Sequence, residues 1–131
     1  MAAAESYPDD LRYHPEHDWA RLEHGEAVFG ITWFAQDALG ELVHFEPPEE
    51  GATLTKDQSY AEVESVKAVS DVIAPLSGEV LEVNGAVTEA PETVNEDPYG
   101  AGWLVRVRLT DPGEVESLLD LEAYKQVLAD Q

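Results

Sequence analysis

A mainly β body closed by C-terminal helices is the fold class this chain predicts, and three observations carry it. Short runs rich in valine, isoleucine and aromatic residues recur between turn signals from Trp19 to Leu109. After Asp111 the apolar spacing becomes helical, through Val115, Leu118 and Leu119 and then Leu121, Tyr124, Val127 and Leu128. The length of 131 residues, 44% of them hydrophobic, suits one domain with one modest core. Residues 1–10 read as a flexible, acidic lead-in and residues 11–131 as that single domain, C-terminal helices included.

Residues 19–22 and 27–31 read as two strands joined by a turn at Glu23-His24-Gly25. Thr32 is placed to cap a short helix over 33–39, with Gly40 at its stop. A strand follows over 42–45 and ends before Pro47-Pro48, which cannot continue a ladder. Two extended arms then flank Lys67, bounded by a turn at Lys56-Asp57 and another at Ser77-Gly78. Residues 79–83 alternate as a strand, and Asn84-Gly85 reads as a turn with no obvious strand after it. Residues 104–109 alternate strictly, which places Arg106 and Arg108 on a wet face. Asp111-Pro112-Gly113-Glu114 reads as a helix start, and Asp120 as the start of a second helix.

Twenty-eight acidic against seven basic residues give a formal charge of −21. That balance argues against nucleic acid and anionic membranes, both of which need a positive patch. With no cysteine, disulfides, thiolate metal sites and cysteine nucleophiles are excluded. The first residues lack the basic and apolar regions of a signal or transit peptide, and no run approaches the ~20 apolar residues of a membrane span. A soluble, cytoplasmic, monomeric protein is the expectation. The group His14, Glu16, His17 and Asp18 is a weak pattern for a metal, and a structural turn with a packed His17 is the simpler reading. Asn95-Glu96-Asp97-Pro98-Tyr99-Gly100 lacks the spacing of a calcium loop and reads as a turn.

Lys67 is one of three lysines, and the pattern puts it at the tip of a hairpin. A lysine acting as base or Schiff-base former needs its pKa depressed by burial or a nearby cation. Glu62, Glu64 and Asp71 surround it instead and favour the charged form. Two readings stay open at this point: an ordinary surface lysine, or a displayed point of covalent attachment.

The stretch Glu64-Ser65-Val66-Lys67-Ala68-Val69-Ser70-Asp71 resembles the lipoyl-attachment motif of the glycine cleavage H-protein family. Four further segments are similar to that family's motifs, in order. They are Tyr13-His14-Pro15-Glu16-His17-Asp18-Trp19, Gly30-Ile31-Thr32 with Ala35-Gln36 and Leu39-Gly40, Ala74-Pro75-Leu76-Ser77-Gly78-Glu79-Val80, and Val94 through Trp103. The similarity spans 11–128 without large gaps, which makes it specific.

The resemblance implies a lipoyl/biotinyl-domain-like sandwich of two antiparallel sheets with the attachment lysine on a hairpin. It implies a non-catalytic carrier with lipoate in amide linkage to Lys67, in a recognition motif of Glu64, Ser65, Val66 and Ala68. The implied partners are a pyridoxal-phosphate-dependent glycine decarboxylase, a tetrahydrofolate-dependent aminomethyltransferase and dihydrolipoyl dehydrogenase. A lipoate ligase or lipoyl-transfer enzyme would attach the group. The aminomethyl cargo passes from the first of these to the second, and the third reoxidises the dithiol. Asp71 and Asp18, with Glu16 beside them, are implied as carboxylates at the resting place of the loaded arm. Read as residues alone, Asp18 could equally cap a turn and Asp71 be a solvated charge.

Methionines flank the lysine in biotin carriers, whereas Val66 and Ala68 flank Lys67. A 2-oxo acid dehydrogenase subunit would normally be tethered to an acyltransferase. A lipoate-binding relative serving sulfur oxidation or lipoyl relay, and an unmodified interaction module, are the remaining alternatives. Three positions depart from the family pattern: Trp33 stands where relatives usually carry an acid, Ala38 where some have histidine, and His44-Phe45-Glu46-Pro47 replaces a more apolar strand end.

Overall fold

The computed structural model describes residues 3–131, which form nine strands in two antiparallel sheets. The larger sheet contains β1 (Arg12–His14), β2 (Asp18–Glu23), β3 (Glu26–Ile31), β5 (Thr53–Leu54), β8 (Gly78–Val83) and β9 (Val105–Leu109), in the order β1-β2-β3-β9-β8-β5. The smaller contains β4 (Leu42–Glu46), β6 (Ser59–Ser65) and β7 (Val69–Ile73), in the order β4-β6-β7. The expected sandwich with a lysine-tipped hairpin is the architecture found.

The β2–β3 hairpin closes through His24 and Gly25, both at positive φ (44° and 85°), a pairing that matches the right-handed twist of the flanking strands. Thr32 caps α1 (Trp33–Leu39) by accepting from the Ala35 N–H at 3.3 Å. Gly40 ends that helix at φ 85°, where a Cβ would be strained, and its N–H returns to the Gln36 carbonyl at 2.9 Å.

The alternation of β2 gives the larger sheet two buried faces. Its inner residue Ala20 joins Phe29, Val63, Val72, Val80 and Val107 between the sheets. Its outer residue Trp19 joins Leu11, Tyr13, Val28 and Tyr124 beneath α4 (Leu121–Ala129). Tyr13 and Tyr124 stack there with centroids 4.5 Å apart. Burial on both faces is why so short a chain needs its C-terminal helix. On β9, Arg106 and Arg108 face outward as expected; Arg106 meets Glu23 and Arg108 meets Glu79.

Four local readings are corrected. A first strand, β1, precedes the two expected ones, and β5 occupies two residues after the proline pair. Asn84-Gly85 is a helix start rather than a hairpin turn: Asn84 accepts from the Ala86 N–H at 3.1 Å and begins α2 (Gly85–Glu89). A further helix, α3 (Thr93–Glu96), follows it. The segment after Asp111 is a 3-10 helix, Pro112–Ser117, and the Asp111 side chain does not cap it. Asp120 does cap α4, accepting from the Ala123 N–H at 2.9 Å.

Residues 3–8 have no regular secondary structure but are bonded to the body. Trp33 Nε1 donates to the Ala3 carbonyl at 2.8 Å, and Tyr99 Oη donates to the Ser6 carbonyl at 2.7 Å. The departure Trp33 therefore holds the lead-in. No helix among the described residues is long and apolar enough to cross a membrane.

Candidate functional site

Lys67 sits between the ends of β6 and β7, exposed, with no side-chain hydrogen bond or ion pair among the described residues. The tip around it is organised by Ser65, which is 5% exposed. The Ser65 Oγ accepts from the N–H groups of Lys67 (3.2 Å) and Ala68 (3.1 Å), while the Ser65 N–H donates to the Ala68 carbonyl at 2.8 Å. The Val66 N–H reaches the Glu41 carbonyl at 3.3 Å and ties the tip to the junction of α1 and β4. The lysine stem leans toward that junction: a Cβ built on Gly40 would meet Lys67 Cε at 3.6 Å.

The rest of the motif is displayed. Glu64 and Ala68 are exposed, and Val66 (73%) and Val69 (62%) are the most exposed large hydrophobic residues described. A free primary amine on a fixed backbone, among side chains an enzyme can read, fits amide formation with a carboxylic acid. When attached, lipoate supplies the redox-active sulfurs that a chain without cysteine lacks.

Ser65→Ala removes the acceptor for two tip N–H groups. It is expected to destabilise the fold by about 1–2 kcal/mol and to slow lipoylation several-fold, as followed by intact mass against time.

The three carboxylates differ in burial. Asp18 lies inside the sandwich at 2% exposure, while Glu16 and Asp71 are at the surface. Asp71 accepts from Ser59 Oγ at 3.2 Å. The Ile73 N–H, at the far end of the strand that carries Asp71, lies beside the Asp18 carboxyl, whose Oδ2 has no partner among the described residues. Burial holds the Asp18 carboxyl well above the usual carboxylate range; the Ile73 N–H opposes the rise, and Glu16 adds to it.

The loop between β1 and β2 is held by its histidines. His14 Nδ1 accepts from the Glu16 N–H at 3.0 Å, so Nε2 carries the proton and donates to Asp57 at 2.7 Å. His17, at φ 73°, packs on Phe34 at 4.4 Å and pairs with Tyr124 Oη at 2.8 Å. Burial lowers the His17 pKa, with Gln131 and Glu16 opposing. Among the described residues no group of three or more such side chains is placed to hold a metal ion.

One functional candidate is missing from the sequence reading: Tyr60. Alternation along β6 assigns it to the outer face with Glu62 and Glu64. A bulge between Ser59 and Ala61 turns its ring inward to within 6.1 Å of Phe29.

The comparisons with known proteins agree with this geometry. A family model described as Glycine cleavage H-protein matches residues 11–131. A glycine cleavage system H protein of Anaeromyxobacter sp. (strain K) is 48% identical over 124 residues, covering 95% of this chain and 97% of the relative. One from Symbiobacterium thermophilum is 49% identical over 117 residues, covering 89% and 91%. A crystal structure of a glycine cleavage system H protein from Mycobacterium marinum superposes with a TM-score of 0.86 at 42% identity, over 94% of this chain and 99% of that one. The chain belongs to the glycine cleavage H-protein family, whose members are non-catalytic, lipoate-bearing carrier subunits of the glycine cleavage system.

Proposed function

We propose that Lys67 is the lipoyl-attachment residue, and that Asp18 and Asp71, with Glu16 beside them, receive the cationic end of the loaded arm. The observation that carries the first part is the exposed ammonium, unpaired among the described residues, on a tip organised by Ser65. Glu64, Val66 and Ala68 form the surface a lipoate ligase reads. The chain exchanges its aminomethyl cargo with a pyridoxal-phosphate-dependent glycine decarboxylase and a tetrahydrofolate-dependent aminomethyltransferase, and is reoxidised by dihydrolipoyl dehydrogenase. It does so in the cytoplasm as a monomer. Intact mass after co-expression with a lipoate ligase, followed by proteolytic mapping, tests the attachment. A lipoyl increment on the peptide containing Lys67 is expected, and a biotin-sized increment overturns the reading.

The second part is supported by Asp18. A buried carboxylate with an unpartnered oxygen is an acceptor waiting for a donor, and an ammonium supplies both donor and charge. Holding the cargo away from bulk water slows its hydrolysis, in which water replaces the amine at the methylene carbon and ammonia leaves. The raised pKa means that the folded chain binds the Asp18 proton more tightly than the unfolded chain does. That contribution favours the fold in acid and is lost as pH rises through the folded value. Asp18→Asn is therefore expected to raise Tm at neutral pH, with the gain vanishing below about pH 4, where the wild-type carboxyl is protonated as well. The same variant is expected to lose ammonia faster from the loaded protein. Loss at the wild-type rate in both Asp18→Asn and Asp71→Ala overturns the docking role.

A further inference from the structure

Two buried side-chain polar atoms among the described residues have no hydrogen-bond partner: Asp18 Oδ2 and Tyr60 Oη. They belong to different sheets and converge on one place. Asp18 and Ala20 share the inner face of β2, and Ala20 pairs with Phe29, the residue against which the Tyr60 ring packs. From the other sheet, Ile73 brings its N–H beside Asp18 and pairs with Ser59, the neighbour of Tyr60. The Tyr60 hydroxyl also feels the Asp18 charge, although burial is the larger cause of its raised pKa. Tyr124, the other phenol near Asp18, already bonds Thr32 (2.9 Å) and His17 (2.8 Å).

Leaving a buried hydroxyl unpartnered destabilises a fold, and phenylalanine would pack the same ring against Phe29 without that penalty. A hydroxyl at such a position is free to take a partner that arrives. An alkylammonium has three N–H donors, more than one carboxylate oxygen can take, and a phenol oxygen accepts another. We propose that Tyr60 Oη is a second polar anchor, alongside the Asp18 carboxylate, for the ammonium end of the loaded arm, which makes Tyr60 a positioning residue for cargo retention. This rests on the docking role of Asp18 argued above.

The test compares wild type, Tyr60→Phe and Asp18→Asn by two measurements. One is Tm of the unlipoylated proteins, and the other is the first-order rate of ammonia loss from the isolated loaded proteins. Tyr60→Phe is expected to melt at or above the wild-type temperature and yet to lose ammonia at least about tenfold faster, the loss of one hydrogen bond to a charged group. A packing role alone moves neither quantity in that combination. Ammonia loss at the wild-type rate in Tyr60→Phe, with faster loss in Asp18→Asn, overturns the role of Tyr60 and leaves Asp18 in place. Wild-type rates in both variants overturn the docking role itself. A lowered Tm with faster loss in Tyr60→Phe makes the hydroxyl structural and overturns the proposal as well.

Discussion

Lys67→Arg is expected to abolish lipoylation and carrier activity together while leaving Tm unchanged. The guanidinium keeps the positive charge and most of the reach, but stays protonated and offers no amine for acylation near neutral pH. Stability is indifferent because the Lys67 side chain makes no hydrogen bond or ion pair among the described residues and lies outside both cores. Intact mass after co-expression with a ligase should show no increment. Reconstitution with the decarboxylase should show exchange at background. Wild-type exchange by the arginine variant would place the attachment elsewhere, and Lys56 and Lys125 are the only other lysines.

Tyr124→Ala is expected to cost about 3–5 kcal/mol, the range for deleting a large buried side chain. Tyr124 is fully buried, stacks on Tyr13, meets Tyr7 edge-on at 5.8 Å and bonds both Thr32 and His17. Its loss therefore uncouples α4, the cap of α1 and the β1–β2 loop at once. Burial, opposed by the Thr32 bond, pushes its phenol up to about 12, so the hydroxyl stays protonated through the physiological range. Urea melts should show the full loss in the alanine variant and about 1 kcal/mol in Tyr124→Phe, which keeps the ring and removes only the bonds. Lipoylation well below the midpoint should proceed normally, because neither Lys67 nor Ser65 touches this layer.

The long elements were legible because their patterns repeat. Residues 105–109 alternate over five positions, and Thr32 and Gly40 bracket α1 with a cap and a stop. What was not legible is short or held from a distance. β5 has two residues and no periodicity to detect. Asn84-Gly85 carries the signature of a hairpin turn, yet Asn84 Nδ2 donates to the carbonyls of Ala101 (2.8 Å) and Trp103 (2.7 Å), which fixes it as a helix cap from across the chain. Asp111 has the residue type of a cap but lies outside the extended region that Thr32, Asn84 and Asp120 adopt, and its side chain makes no capping bond to the 3-10 helix that follows.

The site divides the same way. Lys67 and its neighbours were visible as a contiguous motif on a hairpin. The burial of Asp18 was not, because aspartate is usually exposed and only the sandwich places that carboxyl between the sheets. Tyr60 was hidden by the bulge, which breaks the alternation from which its face would be read.

The lean of the lysine stem toward Gly40 also bears on how the arm behaves over its life. The last turn of α1 ends there, and the carbonyl end of a helix carries partial negative charge. Such an end favours a cation near it, and the Lys67 stem leans that way although its ammonium makes no bond among the described residues. Acylation replaces the ammonium with a neutral amide, and the attraction disappears. The acylation proposed for Lys67 would therefore lengthen the side chain and remove its attraction to the helix end in one step.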